Sequence, residues 1–184
     1  MKEQMRIELH NETEYTERIS FQDIWTHASK LKHVGCRVAA ITDRNSVDGI
    51  HMAEYEFMRR GIQPIYGVTL NCIDIDDRYD VVLLAANLTG RDNIFRLIEL
   101  LERNRFSFGH AITREQLDTH RKGIFLGAAA KNGQIIRAIL HRRDQKYLET
   151  ITQDYDYMEF ASEPYDIAAT VVQLAAQSNL PLCA

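Results

Sequence analysis

The sequence predicts an α/β fold in which strands and helices alternate along the chain. Short apolar runs of strand length alternate with segments of helical spacing about six times. The short runs are almost continuously apolar, which is typical of strands in a sheet whose two faces are both covered by helices. This order favours parallel pairing with the helices outside the sheet. A closed or nearly closed α/β barrel is the first choice and a doubly wound open sheet is the second; in both, functional side chains lie at the carboxyl ends of the strands.

The first half of the chain contains four predicted strands and two predicted helices. The strands are expected at residues 6–10, 37–42, 64–70 and 80–86. Ser20 is the expected N-cap of the first helix, which carries Trp25 as a core residue and ends at Gly35. The second helix spans residues 47–60, and residues 74–78 form a solvated hairpin turn.

The second half continues the same alternation. Helices are expected at residues 89–103, 114–120, 144–150 and 165–178, and strands at 123–128, 157–161 and 180–184. A further helix follows its expected cap, Asn132. Because residues 180–184 begin a strand that the chain does not complete, we expect the sequence to be the front piece of a longer polypeptide.

Composition places the chain among ordinary globular domains. Its 184 residues include 22 Lys and Arg against 26 Asp and Glu, which gives a net charge of −4, and 45% are hydrophobic. This length predicts one domain, residues 1–184. Its net negative charge does not favour strong electrostatic binding of nucleic acid. The sequence has no signal peptide and no apolar run long enough to cross a membrane. Three widely spaced cysteines indicate reduced thiols and a cytoplasmic location.

Four segments at or near the predicted strand ends resemble the PHP (polymerase and histidinol phosphatase) family of domains. They are Leu9-His-Asn-Glu-Thr-Glu-Tyr15, Ala39-Ala-Ile-Thr-Asp-Arg44, Gly61-Ile-Gln-Pro-Ile-Tyr-Gly-Val-Thr69 and Tyr79-Asp-Val-Val-Leu-Leu-Ala-Ala-Asn87, the last followed by Gly90 and Asn93. Their order and spacing resemble most closely the PHP domain at the amino terminus of bacterial DNA polymerase III alpha subunits. The resemblance implies a distorted (β/α)7 barrel, truncated here at its C-terminal end.

The resemblance also implies a site, namely a cluster of metal ions held by His, Asp and Glu side chains. His10 matches the first ligand of the opening motif, and Glu12 stands where the family has a second histidine. Asp43 matches a ligand of the second motif, and Glu159 is a further candidate. Zinc or manganese would be the cofactor if the cluster is retained.

Three positions of the implied cluster are replaced. Arg44 stands in place of a histidine, Thr69 in place of a bridging glutamate, and Glu163 near the place of a third-motif histidine. A guanidinium keeps its proton and only donates hydrogen bonds, so it cannot ligate a metal. We therefore expect Arg44 to form an ion pair with Asp43, Glu12 or Glu159 in place of a metal site.

Three functions follow from these observations. The first is a structural PHP domain without a catalytic residue of its own, whose partners are the polymerase domains of the same chain and, through them, DNA and replisome proteins. The parent chain would then be a DNA-directed DNA polymerase. The second is an active metal-dependent PHP phosphoesterase or 3′–5′ exonuclease. The third, without the resemblance, is an α/β interaction module.

Overall fold

The computed structural model describes residues 6–16, 22–75, 77–161 and 165–183. The described residues form eight strands: β1 (Arg6–Glu8), β2 (Cys36–Ile41), β3 (Gln63–Asp74), β4 (Asp77–Ala85), β5 (Ile112–Thr113), β6 (Ile124–Ala128), β7 (Tyr157–Glu159) and β8 (Leu182–Cys183). They also form seven helices: α1 (Ile24–His33), α2 (Ile50–Met58), α3 (Leu88–Arg103), α4 (Arg114–Thr119), α5 (Gln134–Leu140), α6 (Gln145–Thr152) and α7 (Tyr165–Gln177).

The strands join into one mixed sheet. Its order is β1-β2-β3-β4-β6-β7-β8, with β5 paired to the far half of β3. β1, β2 and β3 are parallel, as are β6, β7 and β8. β4 runs antiparallel to both β3 and β6.

The expectation of parallel pairing is therefore wrong for β4. Its register with β3 runs from Gly67 opposite Leu84 to Asp74 opposite Asp77, so only a tight turn joins the two strands. A parallel pair needs a crossover of a dozen or more residues, which this turn does not provide. The hairpin predicted at residues 74–78 is present, and it is the reason that β4 reverses direction.

The starts of α1, α2 and α5 differ from the sequence prediction, and α2 begins at Ile50 and not at residue 47. α1 begins after Asp23, whose side chain accepts a hydrogen bond from the Thr26 amide, while the expected cap, Ser20, lies outside the described residues. α5 begins after Gly133 and not after Asn132. Trp25 was expected in the core, but it lies on the outer face of α1 and is 58% exposed.

The turn before α3 is explained by close packing against the start of β6. Asn87 caps α3 by accepting a hydrogen bond from the Gly90 amide. A Cβ on Gly90 would overlap the carbonyl oxygen of Gly123, so only glycine permits this approach of α3 to the start of β6. Asn93 donates to the carbonyl of Lys122 at 2.8 Å and fixes the same contact one turn later.

The sheet curls as a half-barrel, which confirms the predicted α/β barrel in its distorted form. β1 and β8 stand at opposite ends of the strand order, yet both line one cavity. The inside of the curl is apolar. Its residues are Ala40, Val82, Leu84, Ala129 and Tyr157, with Leu9, Ile65 and Cys183 packed against them. Larger apolar clusters lie between the sheet and its helices and hold the strand ends in place.

Candidate functional site

A cavity of about 650 Å³ opens at the carboxyl ends of the parallel strands. Its polar lining residues are Glu8, His10, Glu12, Arg44, Thr69, Lys131 and Glu159. Five of the seven candidate positions thus meet in one cavity, namely His10, Glu12, Arg44, Thr69 and Glu159. Asp43 lies beneath the loop after β1, and Glu163 lies outside the described residues.

His10 lies between two carboxylates. Its Nδ1 is 3.0 and 2.9 Å from the two carboxylate oxygens of Glu159, and its Nε2 is 3.7 Å from Oε1 of Glu12. Burial on its own would lower the pKa of His10, but the hydrogen bonds and charges of Glu12 and Glu159 outweigh it and raise this pKa to about 9. At neutral pH His10 is therefore an imidazolium, and a metal would have to displace a proton to bind it.

Glu12 and Glu159 both belong to this charged group. The hydrogen bond from His10 lowers the pKa of Glu12, burial opposes it, and the charges of His10, Arg44 and Lys131 lower it further. Glu159 is buried and also faces the Ala130 amide at 3.4 Å. Both carboxylates consequently serve as partners of a cation that the protein itself supplies.

Asp43 is occupied by the loop that follows β1. Its side chain is fully buried, and its oxygens accept hydrogen bonds from the backbone amide of Thr13 and from the hydroxyls of Thr13 and Thr16, both at 2.8 Å. Three donors on one carboxylate fix the course of this loop. Asp43 therefore positions the segment that carries His10 and Glu12.

Asn11 ties the same loop to the sheet and to α1. Its side-chain amide donates to the carbonyl of Ala40 at 2.8 Å, and its backbone amide donates to the hydroxyl of Thr42 at 2.9 Å. Nε2 of His27 lies 2.8 Å from the side-chain oxygen of Asn11, and burial lowers the pKa of His27. A neutral His27 that donates from Nε2 satisfies this contact.

Arg44 has a partner that the sequence did not predict. Its Nη1 lies 2.7 Å from Oδ2 of Asp80, a side chain that is only 1% exposed. The expected pairing of Arg44 with Asp43, Glu12 or Glu159 is thus replaced by an ion pair with Asp80. Nη1 also faces the side-chain oxygen of Asn71 at 3.4 Å.

The Arg44–Asp80 pair depends on charge more than on hydrogen-bond geometry. Nη1 of Arg44 and Oδ2 of Asp80 are 2.7 Å apart, but their angles are not those of a hydrogen bond. Among the described residues, neither oxygen of Asp80 has a hydrogen-bond partner, and Nε of Arg44 has none either. Thr69 lies beside Arg44 in the sheet, and its buried hydroxyl likewise has no partner among the described residues. Buried groups with incomplete hydrogen bonding make this part of the site sensitive to changes in charge.

Asp80 and Lys131 are the site residues that sequence reasoning missed. Asp80 was visible as a lone carboxylate at the start of an apolar strand, where an unpaired charge is expensive to bury. Lys131 follows β6 at the rim of the cavity and contributes to the low pKa of Glu12.

The described residues do not fit a metal cluster. Within the described part of the chain, no group of three or more His, Cys, Asp and Glu side chains is placed to hold a metal ion. Two reasons are visible in the contacts: the oxygens of Asp43 are enclosed by the Thr13 and Thr16 donors, and Arg44, which cannot ligate a metal, lines the cavity. No reaction step through a metal is derived for this site.

The fold and the cavity define a class, that of α/β half-barrels with a charged site at the carboxyl ends of their strands. The family model of the PHP domain matches residues 8–163, and the chain belongs to this family. No helix within the described ranges is long and apolar enough to cross a membrane.

The relatives found by sequence include DNA polymerase III chains. The chain is 33% identical over 81 residues to the DNA polymerase III PolC-type of Bacillus subtilis, covering 44% of this chain and 6% of the relative. It is 26% identical over 135 residues to the DNA polymerase III subunit alpha of Helicobacter pylori, covering 69% of this chain and 11% of the relative. The chain thus spans roughly a tenth or less of the length of these relatives.

The solved structures similar to this chain share its fold. A Bifidobacterium adolescentis protein described as a metal-dependent phosphoesterase superimposes with a TM-score of 0.64 at 12% identity, covering 98% of this chain and 86% of that one. An amidohydrolase from Chromobacterium violaceum, solved with sulfate and without metal, gives a TM-score of 0.62 at 15% identity, covering 96% and 84%. At these identities the likeness concerns the fold alone.

Proposed function

We propose that residues 1–184 form a single PHP domain of a bacterial DNA polymerase III alpha-type chain and that the domain has a structural role in DNA replication. The parent chain would be a cytoplasmic DNA-directed DNA polymerase, and none of its polymerase catalytic residues would lie here. The partners of the domain would be the other polymerase domains and, through them, DNA and replisome proteins. Similarity to two groups of polymerase III chains supports this proposal.

The observation that carries the structural role is the Arg44–Asp80 ion pair. A guanidinium held at 2.7 Å from a buried carboxylate places a permanent positive charge in the cavity. A divalent cation at the same place would meet charge repulsion and would find no free pair of carboxylates to offset it. Arg44 thus offsets the charge of Asp80, while His10 lies against Glu12 and Glu159, so these carboxylates already face cations of the protein itself.

The remaining polar residues fit the same role. Imidazolium His10 joins the end of β1 to Glu159 at the end of β7, so it bridges distant strands of the curled sheet. Asp43 anchors the intervening loop to the end of β2. Together these contacts hold the open half-barrel in one shape, which suits a domain whose surface has to match other domains.

A hydrolysis assay distinguishes this function from the alternative, an active phosphoesterase or 3′–5′ exonuclease. The chain is incubated with Mn²⁺ or Zn²⁺ and either bis(p-nitrophenyl) phosphate or a 3′-labelled DNA strand. We expect no turnover above that of the buffer with metal alone. Metal-dependent turnover that a His10→Gln variant loses would refute the structural role, and an exposed control such as His51→Gln shows whether the loss is specific to the cavity.

A further inference from the structure

A half-buried histidine of α1, His27, lies behind the loop that follows β1. We call residues 9–16, which include His10 and Glu12, the site loop. Both ring nitrogens of His27 face a side-chain amide: Nδ1 faces Nε2 of Gln22, and Nε2 lies 2.8 Å from Oδ1 of Asn11. The ring therefore links Gln22, which precedes α1, to a residue of the site loop.

The orientation of the Asn11 amide is fixed by its other contacts. Its Nδ2 donates to the carbonyl of Ala40 at 2.8 Å and to that of Glu8 at 3.3 Å. A carbonyl only accepts hydrogen bonds, so Oδ1 is the atom of Asn11 that remains for His27. Because Oδ1 is itself only an acceptor, Nε2 of His27 has to carry the hydrogen of this contact.

Lys30 fixes the Gln22 amide in the same way. Its ammonium group donates to Oε1 of Gln22 at 2.8 Å. An ammonium group only donates, so Nε2 of Gln22 is the atom that faces Nδ1 of His27. This Nε2 is also a donor, and Nδ1 has to accept with its lone pair. The neutral ring with its hydrogen on Nε2 is thus the form of His27 that satisfies both neighbours.

A proton on Nδ1 of His27 would break this chain of hydrogen bonds at one end. The N–H groups of Nδ1 and of Gln22 would then point at each other. If the Gln22 amide turned over to offer its oxygen, its NH₂ group would face the ammonium group of Lys30 and that contact would be lost. The Asn11 contact would persist, since Nε2 keeps its hydrogen. One proton therefore loosens Gln22 and leaves Asn11 bound.

Charges from three elements act on His27. Among the described residues, Lys30 on α1 opposes its protonation, while Asp43 after β2 and Glu8 at the end of β1 favour it. Burial has the largest effect and opposes protonation, so the pKa of His27 lies below its usual value of 6.5. At neutral pH the ring is neutral, and it takes up a proton only in acid solution.

The backbone of Gln22 is also tied to the site loop. Its carbonyl accepts a hydrogen bond from the amide of Glu14 at 3.1 Å, two residues after Glu12. A change at the Gln22 side chain therefore reaches the site loop through a single backbone hydrogen bond. The protection of the Glu14 amide against hydrogen exchange reports whether that bond is closed.

We propose that His27 is a pH-sensitive switch that acts on the site loop. The neutral ring links Gln22 to Asn11, and a proton on Nδ1 releases Gln22 while Asn11 stays bound. The titrating ring lies outside the cavity. The inference therefore does not depend on the structural role proposed above.

A nuclear magnetic resonance titration of the whole chain tests the switch. Long-range ¹H–¹⁵N spectra give the position of the ring hydrogen and the pKa of His27. We expect the hydrogen on Nε2 and a pKa below 6.5. Below that pKa, the protection of the Glu14 amide, corrected for the intrinsic exchange rate, should fall by up to about tenfold for each pH unit, because one proton is coupled to the opening.

Gln22→Glu tests which contact is responsible. A carboxylate at this position would accept from a protonated Nδ1, so the ring should bind a proton about tenfold or more tightly than in the native chain. Glu14 should then stay protected in acid. Gln153→Glu is the matched control: it adds the same charge at the end of α6 and should leave the pKa of His27 unchanged.

His27→Gln removes the titrating group. The protection of Glu14 in this variant should not depend on pH over the same range, and circular dichroism shows whether the variant is folded. The native titration and Gln22→Glu decide the question if it is not.

Several outcomes would overturn the proposal. They are a neutral ring with its hydrogen on Nδ1, a pKa of His27 at or above 6.5 in the native chain, or an equal pKa in the native chain and Gln22→Glu. A Glu14 amide that responds to pH in folded His27→Gln as it does in the native chain would overturn it as well.

Discussion

Replacing Arg44 by methionine tests the energetic role of the Arg44–Asp80 pair. Methionine keeps most of the aliphatic volume and removes the charge, so the Asp80 carboxylate stays buried without a counter-charge. Charge centres about 4 Å apart attract each other by about 4 kcal/mol at an effective dielectric constant of about 20. Removing one member of a buried ion pair generally costs about 3–5 kcal/mol. We therefore expect the free energy of unfolding to fall by about 3–5 kcal/mol in Arg44→Met.

The reverse substitution should be milder. Asp80 is 1% exposed, whereas the Arg44 side chain is 21% exposed and can turn toward water. Asp80→Leu should therefore cost only about 1–2 kcal/mol. The double variant Arg44→Met/Asp80→Leu replaces the pair by apolar groups and should recover most of the loss, because such replacements are often neutral.

Urea unfolding followed by far-ultraviolet circular dichroism measures all four proteins. The double-mutant cycle then yields the coupling between Arg44 and Asp80. If Arg44→Met lowers the free energy of unfolding by less than about 1 kcal/mol, the reasoning is refuted. Such a result would mean that an Asp80 carboxylate without a counter-charge does not destabilise the fold. A larger loss in Asp80→Leu than in Arg44→Met would refute it as well.

Three further predictions concern the site and the helix that supports it. The pKa of His10 is raised from 6.5 to about 9, so its pairing with Glu12 and Glu159 stabilises the fold fully below pH 6.5 and ceases to do so as the pH rises through about 9. The difference in the free energy of unfolding between the native chain and His10→Gln, measured with urea, should therefore shrink over that interval. A difference that stays constant would contradict this prediction. Asp43→Ala should lower the free energy of unfolding by about 2–4 kcal/mol through the loss of the Thr13 and Thr16 hydrogen bonds, and unchanged hydrogen exchange at the Thr13 amide would argue against this role. Gly90→Ala should cost about 3 kcal/mol because its methyl group meets the Gly123 carbonyl, whereas exposed Thr89→Ala should have little effect in the same thermal unfolding experiment.

The sequence predicted the alternating fold because its apolar runs and helical spacings are local properties of the chain. Strand direction is a different matter. The sequence predicts the turn at residues 74–78, yet the alternation of strands and helices predicts parallel pairing for all strands. A hairpin connection leaves no room for a crossover, so β4 has to reverse.

The same reversal explains why Asp80 was missed. Since β4 is antiparallel, its first residues lie beside the end of β3, where the cavity opens, and Asp80 stands opposite Asn71. An all-parallel sheet would place Asp80 at the other end of the barrel, far from Arg44. His10, Glu12 and Glu159 were found because they follow or end parallel strands, for which chain order alone indicates position.

Burial of single side chains was the least predictable feature. Trp25 was predicted to lie in the core, yet the buried stripe of α1 runs through Ile24, Ala28 and Leu31. Trp25 stands about 100° around the helix from Ile24 and is therefore exposed. Asp43 has the sequence position of a metal ligand, but its oxygens are taken by Thr13 and Thr16 in the preceding loop. Such competition between nearby donors depends on loop geometry, which a strand-and-helix pattern does not specify.

The metal content of the purified chain tests the central claim most directly. The protein is dialysed against Mn²⁺ and then Zn²⁺, freed of loosely bound ions and analysed by inductively coupled plasma mass spectrometry. A variant with Glu12→His, Arg44→His and Thr69→Glu is treated in parallel as the matched comparison. We predict only trace metal in the native chain, because Arg44 holds the positive charge of the cavity. Stoichiometric metal in the native chain would contradict the account and would establish a metal site built from other groups.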